Sequence, residues 1–184
     1  SMTFGNRLFL SKGEGAWTQR QKQDGVILAG WAWGCTSADF DLDGRIDVYV
    51  ANGLESRHSV RDYESEYWLH DAFLADSEKD SDAYLYFKQK FERTRGQGMS
   101  YGGYESNRLF LGTLNGTELD VAPLWHVGPQ WDARNVGSAD FDQDGRQDLV
   151  FTHFETWPDA RQVLRVYLNR IPPQGNWIGF RPKR

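Results

Sequence analysis

Apolar residues along this chain come in short runs broken by charged residues and glycine, and no run has the length of a buried helix. Arg7-Leu8-Phe9-Leu10 and Arg108-Leu109-Phe110-Leu111 are short β-prone runs, Val163 to Leu168 and Trp177-Ile178-Gly179-Phe180 read likewise, and Ile46-Asp47-Val48-Tyr49-Val50 and Gln147-Asp148-Leu149-Val150-Phe151 are rich in β-branched and aromatic residues. Such residues suit a pleated, half-buried surface, so each run predicts a strand. Scattered glycines, 19 in all, supply the turns. Counted this way the chain holds about ten strands. The stretch from Leu54 to Ser106 departs from the pattern. Tyr63, Tyr67 and Phe73 within Arg61 to Leu74, and Tyr84, Phe87 and Phe91 within Asp80 to Arg93, recur at roughly helical spacing. Two helices are predicted there, in an insert over about 54–106; a solvated acidic loop is the competing reading. Gly96 to Tyr104 makes the return to the sheet.

An internal repeat organises these runs. Asn6-Arg7-Leu8-Phe9-Leu10 recurs as Asn107-Arg108-Leu109-Phe110-Leu111, and Ser37-Ala38-Asp39-Phe40-Asp41 as Ser138-Ala139-Asp140-Phe141-Asp142, both 101 positions on. Two motifs that keep their mutual distance indicate duplication of one structural unit.

The duplicated segment with chemical content is Asp39-Phe40-Asp41-Leu42-Asp43-Gly44-Arg45-Ile46-Asp47, repeated as Asp140-Phe141-Asp142-Gln143-Asp144-Gly145-Arg146-Gln147-Asp148. Aspartates fall at positions 1, 3, 5 and 9 and glycine at 6. Four carboxylates within nine residues repel one another unless a cation sits among them. Ca²⁺ takes six to eight oxygen ligands, and a glycine at position 6 permits the sharp turn around the ion. Asp39, Asp41, Asp43 and Asp47, then Asp140, Asp142, Asp144 and Asp148, are the expected side-chain ligands. Arg45 and Arg146 would offer backbone carbonyls, with their side chains directed to solvent. An EF-hand also begins this way but needs a bidentate Glu at position 12. Position 12 here is Val50 or Phe151, inside an apolar run. The expectation is therefore a strand-loop-strand Ca²⁺ site, two per chain. Mg²⁺ is disfavoured because it keeps several waters. A metal-free acidic turn is the bland alternative.

Composition narrows the partners. The 184 residues suffice for one domain with its own core, and 8 Trp, 8 Tyr and 11 Phe argue against disorder. There are 26 Asp and Glu against 21 Lys and Arg, for a formal charge of −5, a balance that disfavours nucleic acid as a partner. No apolar run nears the ~20 residues of a membrane-spanning helix. One cysteine, Cys35, excludes an intrachain disulfide. Eight of the acidic residues are the proposed ligands, so two bound Ca²⁺ would bring the formal charge to −1.

The pattern Ala-Asp-Phe-Asp-x-Asp-Gly-x-x-Asp followed by an apolar strand resembles the FG-GAP/VCBS repeat of integrin-α-like β-propellers. Asn-Arg-Leu-Phe-Leu upstream, Val50-Ala51-Asn52-Gly53, and Leu168-Asn169-Arg170 running on to Asn176-Trp177-Ile178-Gly179-Phe180 are similar to the narrower ASPIC/UnbV-type group, which includes the cartilage acidic protein and proteins of enediyne biosynthetic clusters. The resemblance spans nearly all of residues 1–184, read as a single repeat domain. It implies an all-β fold of propeller-type blades with a helical insert, about two and a half four-stranded blades, incomplete in one chain. It also implies Ca²⁺ at the eight aspartates, and a secreted or periplasmic setting, or a cytoplasmic one if the chain is biosynthetic. An open fan of blades leaves edges to be covered, by further copies of the chain or by blades of a parent protein. Ser1-Met2 looks like an expression-tag scar.

The remaining residues carry weaker signals. His58, His70, His126 and His153 stand in no metal or triad motif, and a surface or edge place is expected for each. Ser37 and Ser138 lack a nucleophile elbow. Cys35 aligns with Val136 in the repeat, which predicts a small buried apolar residue. Trp17, Trp31, Trp33, Trp125, Trp131, Trp157 and Trp177 could line a carbohydrate or aromatic-ligand groove, but packing between blades explains most of them more simply. The acidic run Asp76 to Asp82 reads as a solvated helix turn. Two functions follow. The first is a Ca²⁺-binding module for binding or scaffolding, without catalytic residues. The second is an enzyme or accessory protein of enediyne-type biosynthesis, with a small-molecule pocket beside the insert.

Overall fold

The computed structural model describes residues 6–20, 25–62, 82, 85, 86, 88, 89, 92, 99–116, 118–155 and 159–178. Eleven strands are described: β1 (Phe9–Ser11), β2 (Trp17–Gln19), β3 (Ala32–Ala38), β4 (Asp47–Asn52), β5 (Ser59–Asp62), β6 (Met99–Ser100), β7 (Arg108–Gly112), β8 (Glu118–Asp120), β9 (Asp132–Ala139), β10 (Asp148–Glu155) and β11 (Arg161–Tyr167). They form three antiparallel sheets, β1-β2, β3-β4-β7-β8 and β9-β10-β11, and a small parallel pair, β5-β6. None of these sheets closes on itself.

The duplication is written into strand register. β3 pairs β4 through Cys35↔Val50, Ser37↔Val48 and Ala38↔Asp47. β9 pairs β10 through Val136↔Phe151, Ser138↔Leu149 and Ala139↔Asp148, the same residues moved on by 101. Both pairs slip register towards the far end of the sheet, between Ala32 and Gly34 in one and between Phe151 and His153 in the other. The hairpins β1-β2 and β7-β8 obey the same offset, with Phe9↔Gln19 matching Phe110↔Asp120 and Ser11↔Trp17 matching Gly112↔Glu118. Side chains alternate faces along a strand, so a shared register puts equivalent side chains on equivalent faces.

The main core lies between the two larger sheets. Phe40, Tyr49, Leu109, Val121, Ala122 and Leu149 form one buried cluster; Ala51, Ala133 and Phe151 form a second. The opposite face of β4 turns Val50 towards Val26 and Ala29 of a short 3-10 turn, Gly25–Leu28. β4 is thus covered on both faces, which is why it reads as a continuous apolar run rather than an alternating one. Each large core side chain is worth about 1.5–3 kcal/mol relative to exposure. Tyr49 combines that burial with two hydrogen bonds. It donates to the Val127 carbonyl (2.7 Å) and accepts from Asn107 Nδ2 (3.0 Å).

Four expectations are corrected. The first expected helix, Arg61 to Leu74, does not start as helix: Ser59–Asp62 is strand β5, and before it Glu55 bridges Tyr101 and Gly102. A helix starting at Arg61 would have broken that pairing. The rest of the first expected helix lies outside the described residues; within the second, Asp82, Leu85, Tyr86, Lys88, Gln89 and Glu92 have helical backbone and exposed side chains. Trp177 and Ile178 are not in a strand, because the chain there crosses the aspartate loops instead of pairing with β11. Cys35 is exposed, not buried. It shares an outward face of β3 with Trp33 and Ser37, whereas its repeat partner Val136 packs against the core. His153 is fully buried rather than at a surface or edge. It stands on the same face of β10 as Leu149 and Phe151, the inward face.

Candidate metal centre

Each aspartate loop joins the first two strands of its unit. The first runs from the end of β3 at Ala38 to the start of β4 at Asp47, the second from Ala139 of β9 to Asp148 of β10. The flanks are strands, as the absence of an EF-hand glutamate required. Glycine stands at the sixth position of both loops with positive φ, 88° at Gly44 and 89° at Gly145, a conformation costly for other residues. The fourth positions, Leu42 and Gln143, also have positive φ, 58° and 63°.

The two loops fold onto their first aspartates in the same way. Asp39 accepts the backbone N–H of Asp43 (3.0 Å) and of Gly44 (2.9 Å). Asp140 accepts those of Asp144 (3.0 Å) and Gly145 (2.9 Å). At the other end Asp47 is fully buried and accepts from Phe40 N (2.8 Å) and Gly112 N (3.0 Å). Asp148, also fully buried, accepts from Phe141 N (2.8 Å) and Asn169 N (2.7 Å). The ninth aspartate therefore clamps its loop to the third strand of its own sheet. Gly112 and Asn169 occupy the same place in the two units, one at the end of β7 and one just beyond β11.

Carboxylate oxygens converge in both loops. Those of Asp39, Asp41 and Asp43 lie within 4.8 Å of one another, as do those of Asp140, Asp142 and Asp148. Asp47 stands outside the first group and Asp144 outside the second. Burial, with Asp43 and Asp39 close by, pushes the Asp41 carboxyl above its usual range. Burial likewise pushes Asp47 up to about 6, against the lowering effect of its two backbone hydrogen bonds. Asp144 is held below its usual value by the Arg146 backbone N–H and by the guanidinium groups of Arg146 and Arg170. Hard carboxylate oxygens that repel one another are a donor set for a hard divalent cation, and either cluster could hold one.

The arginine side chains at position 7 do not point to solvent. Arg45 folds back to pair with Asp43 and donates through Nε to the Gly112 carbonyl (2.7 Å). Arg146 does the same with Asp144 and the Asn169 carbonyl (2.9 Å).

The loops also recruit residues the motif did not single out. Asn169 Nδ2 donates to the Phe40 carbonyl of the first loop (2.7 Å) and to the Gln147 carbonyl of the second (3.1 Å). Gln174 donates through Nε2 to Asp41 Oδ2 (2.9 Å) and through its backbone N–H to the Asp41 carbonyl (2.8 Å). The Trp177 indole occupies the space a Cβ would need on Gly145. Arg170 bridges Asp142 Oδ2 and Asp144 Oδ2, each at 2.8 Å. Leu168-Asn169-Arg170 was the signal available in sequence, but nothing there showed that it reaches both loops.

Of the other residues singled out, His58 and His126 are exposed and His70 lies outside the described residues. Trp31 meets Tyr101 edge-on, and Trp125 and Trp131 pack against the core clusters. Trp17 is 65% exposed, and Trp33 lies beneath the Arg134 guanidinium. Trp157 is outside the described residues. A cavity of about 380 Å³ opens between the two larger sheets, among Phe40, Leu109, Trp125, Leu149, Tyr167 and Arg170. A smaller one of about 180 Å³ lies at the base of the insert, between Ser56, Tyr104, Trp131 and Glu155. Among the described residues no helix is long and apolar enough to cross a membrane.

These features define a duplicated all-β unit with an acidic, metal-competent loop in each copy. Comparison with known proteins finds the chain similar to Cartilage acidic protein 1 of Xenopus tropicalis, 24% identical over 208 residues that take in 97% of this chain. The chain spans 29% of the length of that relative. The similarity supports the ASPIC/UnbV-type side of the resemblance. No family model matches the chain, and no solved structure matches it.

Proposed function

We propose that the chain is a Ca²⁺-binding module of propeller type whose work is binding or scaffolding, with the ion structural in both DxDxDGxxD loops. The observation that carries this reading is the pair of carboxylate clusters held by strands of identical register 101 residues apart. Asp39, Asp41 and Asp43 would hold one ion, Asp140, Asp142 and Asp148 the other, with Asp47 and Asp144 completing the sets. A bound ion supplies positive charge that offsets carboxylate repulsion and fixes each loop between its strands. Binding only to the folded state then stabilises the fold by mass action.

As propeller blades, β3-β4-β7-β8 is one unit, β9-β10-β11 the first three strands of the next, and β1-β2 the last two of the one before. Further blades, from another copy of the chain or from a longer parent protein, would then cover the open edges. The biosynthetic reading calls for a deep apolar pocket beside the insert, most of which lies outside the described residues. Scaffolding is preferred on the duplicated, strand-held carboxylate loops. Calorimetric titration of the full chain with Ca²⁺, with Mg²⁺ as control, tests the reading. Uptake of two Ca²⁺ per chain, and a melting temperature lowered by EGTA, is the expected result. No heat of binding and an unchanged melt would overturn it.

A further inference from the structure

The two loops share sequence, register and internal hydrogen bonds but differ in what stands over their carboxylates. In the second loop Arg170 reaches in from just beyond β11 and bridges Asp142 and Asp144, Nη2 to one and Nη1 to the other, both at 2.8 Å. In the first unit the residue after Gly112 matches the residue after Asn169, because Gly112 and Asn169 make the same backbone bond to the ninth aspartate. That residue is Thr113, which is neutral. The third-position aspartate of the first loop, Asp41, instead takes the uncharged carboxamide of Gln174 (2.9 Å). Both loops keep one arginine at position 7, paired with the fifth aspartate. The second loop thus carries one extra positive charge placed on two proposed ligands.

We infer that Arg170 is an internal counterion that sets the affinity of the second loop, making the first loop the tight Ca²⁺ site and the second the weak one. The inference rests on the Ca²⁺ reading given above. A cation entering the second loop must displace the guanidinium from Asp142 and Asp144 or bind beside it against like-charge repulsion. A cation entering the first loop need only displace a neutral amide. For a divalent ion about 5 Å from a unit charge in a solvent-exposed setting, the Coulomb penalty corresponds to about tenfold in affinity. The second loop is accordingly held together by its own arginine at low Ca²⁺ and responds to the ion over a higher concentration range than the first.

The test is calorimetric titration with Ca²⁺ of the wild type, R170Q and T113R, each as the full chain. Arg170 is well exposed, and its replacement leaves the core untouched. The wild type is expected to show two sites differing by about tenfold or more. R170Q should tighten the weaker site by about that factor and leave the tighter one unchanged, and T113R should weaken the tighter site by a similar factor. Two sites of equal affinity in the wild type, or two sites that neither variant moves, would overturn the role of Arg170 and leave the Ca²⁺ reading standing. No uptake by the wild type would overturn both.

Discussion

Asn169 and Phe40 are 129 residues apart in sequence, and the side-chain amide of one donates to the backbone carbonyl of the other at 2.7 Å. The contact joins the two copies of the repeat at their loops. The same amide donates to the Gln147 carbonyl, the Asn169 backbone N–H binds Asp148, and Asn169 Oδ1 accepts from Ile171 N (2.9 Å). Each polar atom of this buried side chain is therefore paired, and its partners include the buried Phe40 carbonyl and the half-buried Gln147 carbonyl.

Asn169→Ala removes the amide and leaves both carbonyls without it. Each buried group left unpaired costs about 1–3 kcal/mol, so the expected loss is about 2–4 kcal/mol, read from urea unfolding midpoints. Asn169→Asp should be at least as damaging, because it sets a carboxylate against two carbonyls and Asp148. A loss below ~0.5 kcal/mol for the alanine variant would mean that water replaces the amide at both carbonyls.

Asp43→Ala and Asp144→Ala each remove a proposed ligand together with the partner of a neighbouring arginine. Under saturating Ca²⁺, at 100 times Kd, a filled site contributes about 2.7 kcal/mol to stability. Because the first site is the tighter, Asp43→Ala should reproduce the larger part of the melting-temperature loss caused by EGTA in the wild type and Asp144→Ala the smaller part, each variant keeping the remainder as its response to the chelator. The measurement is calorimetric melting with and without EGTA. Full EGTA sensitivity in both variants would place the ion elsewhere.

Gly44 and Gly145 have the same φ, 88° and 89°, but different surroundings. A Cβ on Gly44 meets open space, whereas on Gly145 it meets the Trp177 indole. Alanine at either site carries the left-handed cost of about 1–2 kcal/mol. Only Gly145→Ala should also displace Trp177, so tryptophan emission should shift to the red in that variant and not in Gly44→Ala. Identical spectra would show that the indole does not rest on the second loop.

Much of this was legible in the sequence because it is local. The spacing of aspartates and glycine places both loops, the 101-residue offset gives the repeat, and β-branched and aromatic runs mark β4, β7, β10 and β11. What was not legible depends on contacts between distant segments. Arg45 and Arg146 fold back because the Gly112 or the Asn169 carbonyl lies within reach, which no nine-residue motif encodes. Cys35 reads as buried by analogy with Val136, yet equivalent positions of a repeat need not face equivalent neighbours. Trp177 has the composition of a strand residue but is recruited by the bare backbone of Gly145.

His153 lies where the first repeat has Asn52, and both are fully buried. Its Nε2 is 3.1 Å from Glu155 Oε1, its ring meets the Trp131 indole at 4.6 Å between centroids, and Nδ1 has no partner among the described residues. Burial lowers its pKa below the ordinary value; Arg165 and Arg161 act in the same direction, and Glu155 and Asp132 oppose them. The folded state therefore holds the ring neutral, while the unfolded chain takes up a proton near pH ~6.5. His153 thus contributes stability above that pH, and the contribution is lost as pH falls through the depressed folded value. In the metal-free protein Asp47 acts the other way. Raised to about 6, it favours the fold below its unfolded pKa of ~3.9, and that contribution is lost as pH rises through 6. The histidine effect must therefore be read as a difference. In EGTA, between pH 8 and pH 5, the wild type should lose more stability than His153→Asn, which carries the residue of the first repeat. Urea midpoints at the two pH values measure it, and equal losses in the two proteins would show that His153 is protonated in the fold without cost.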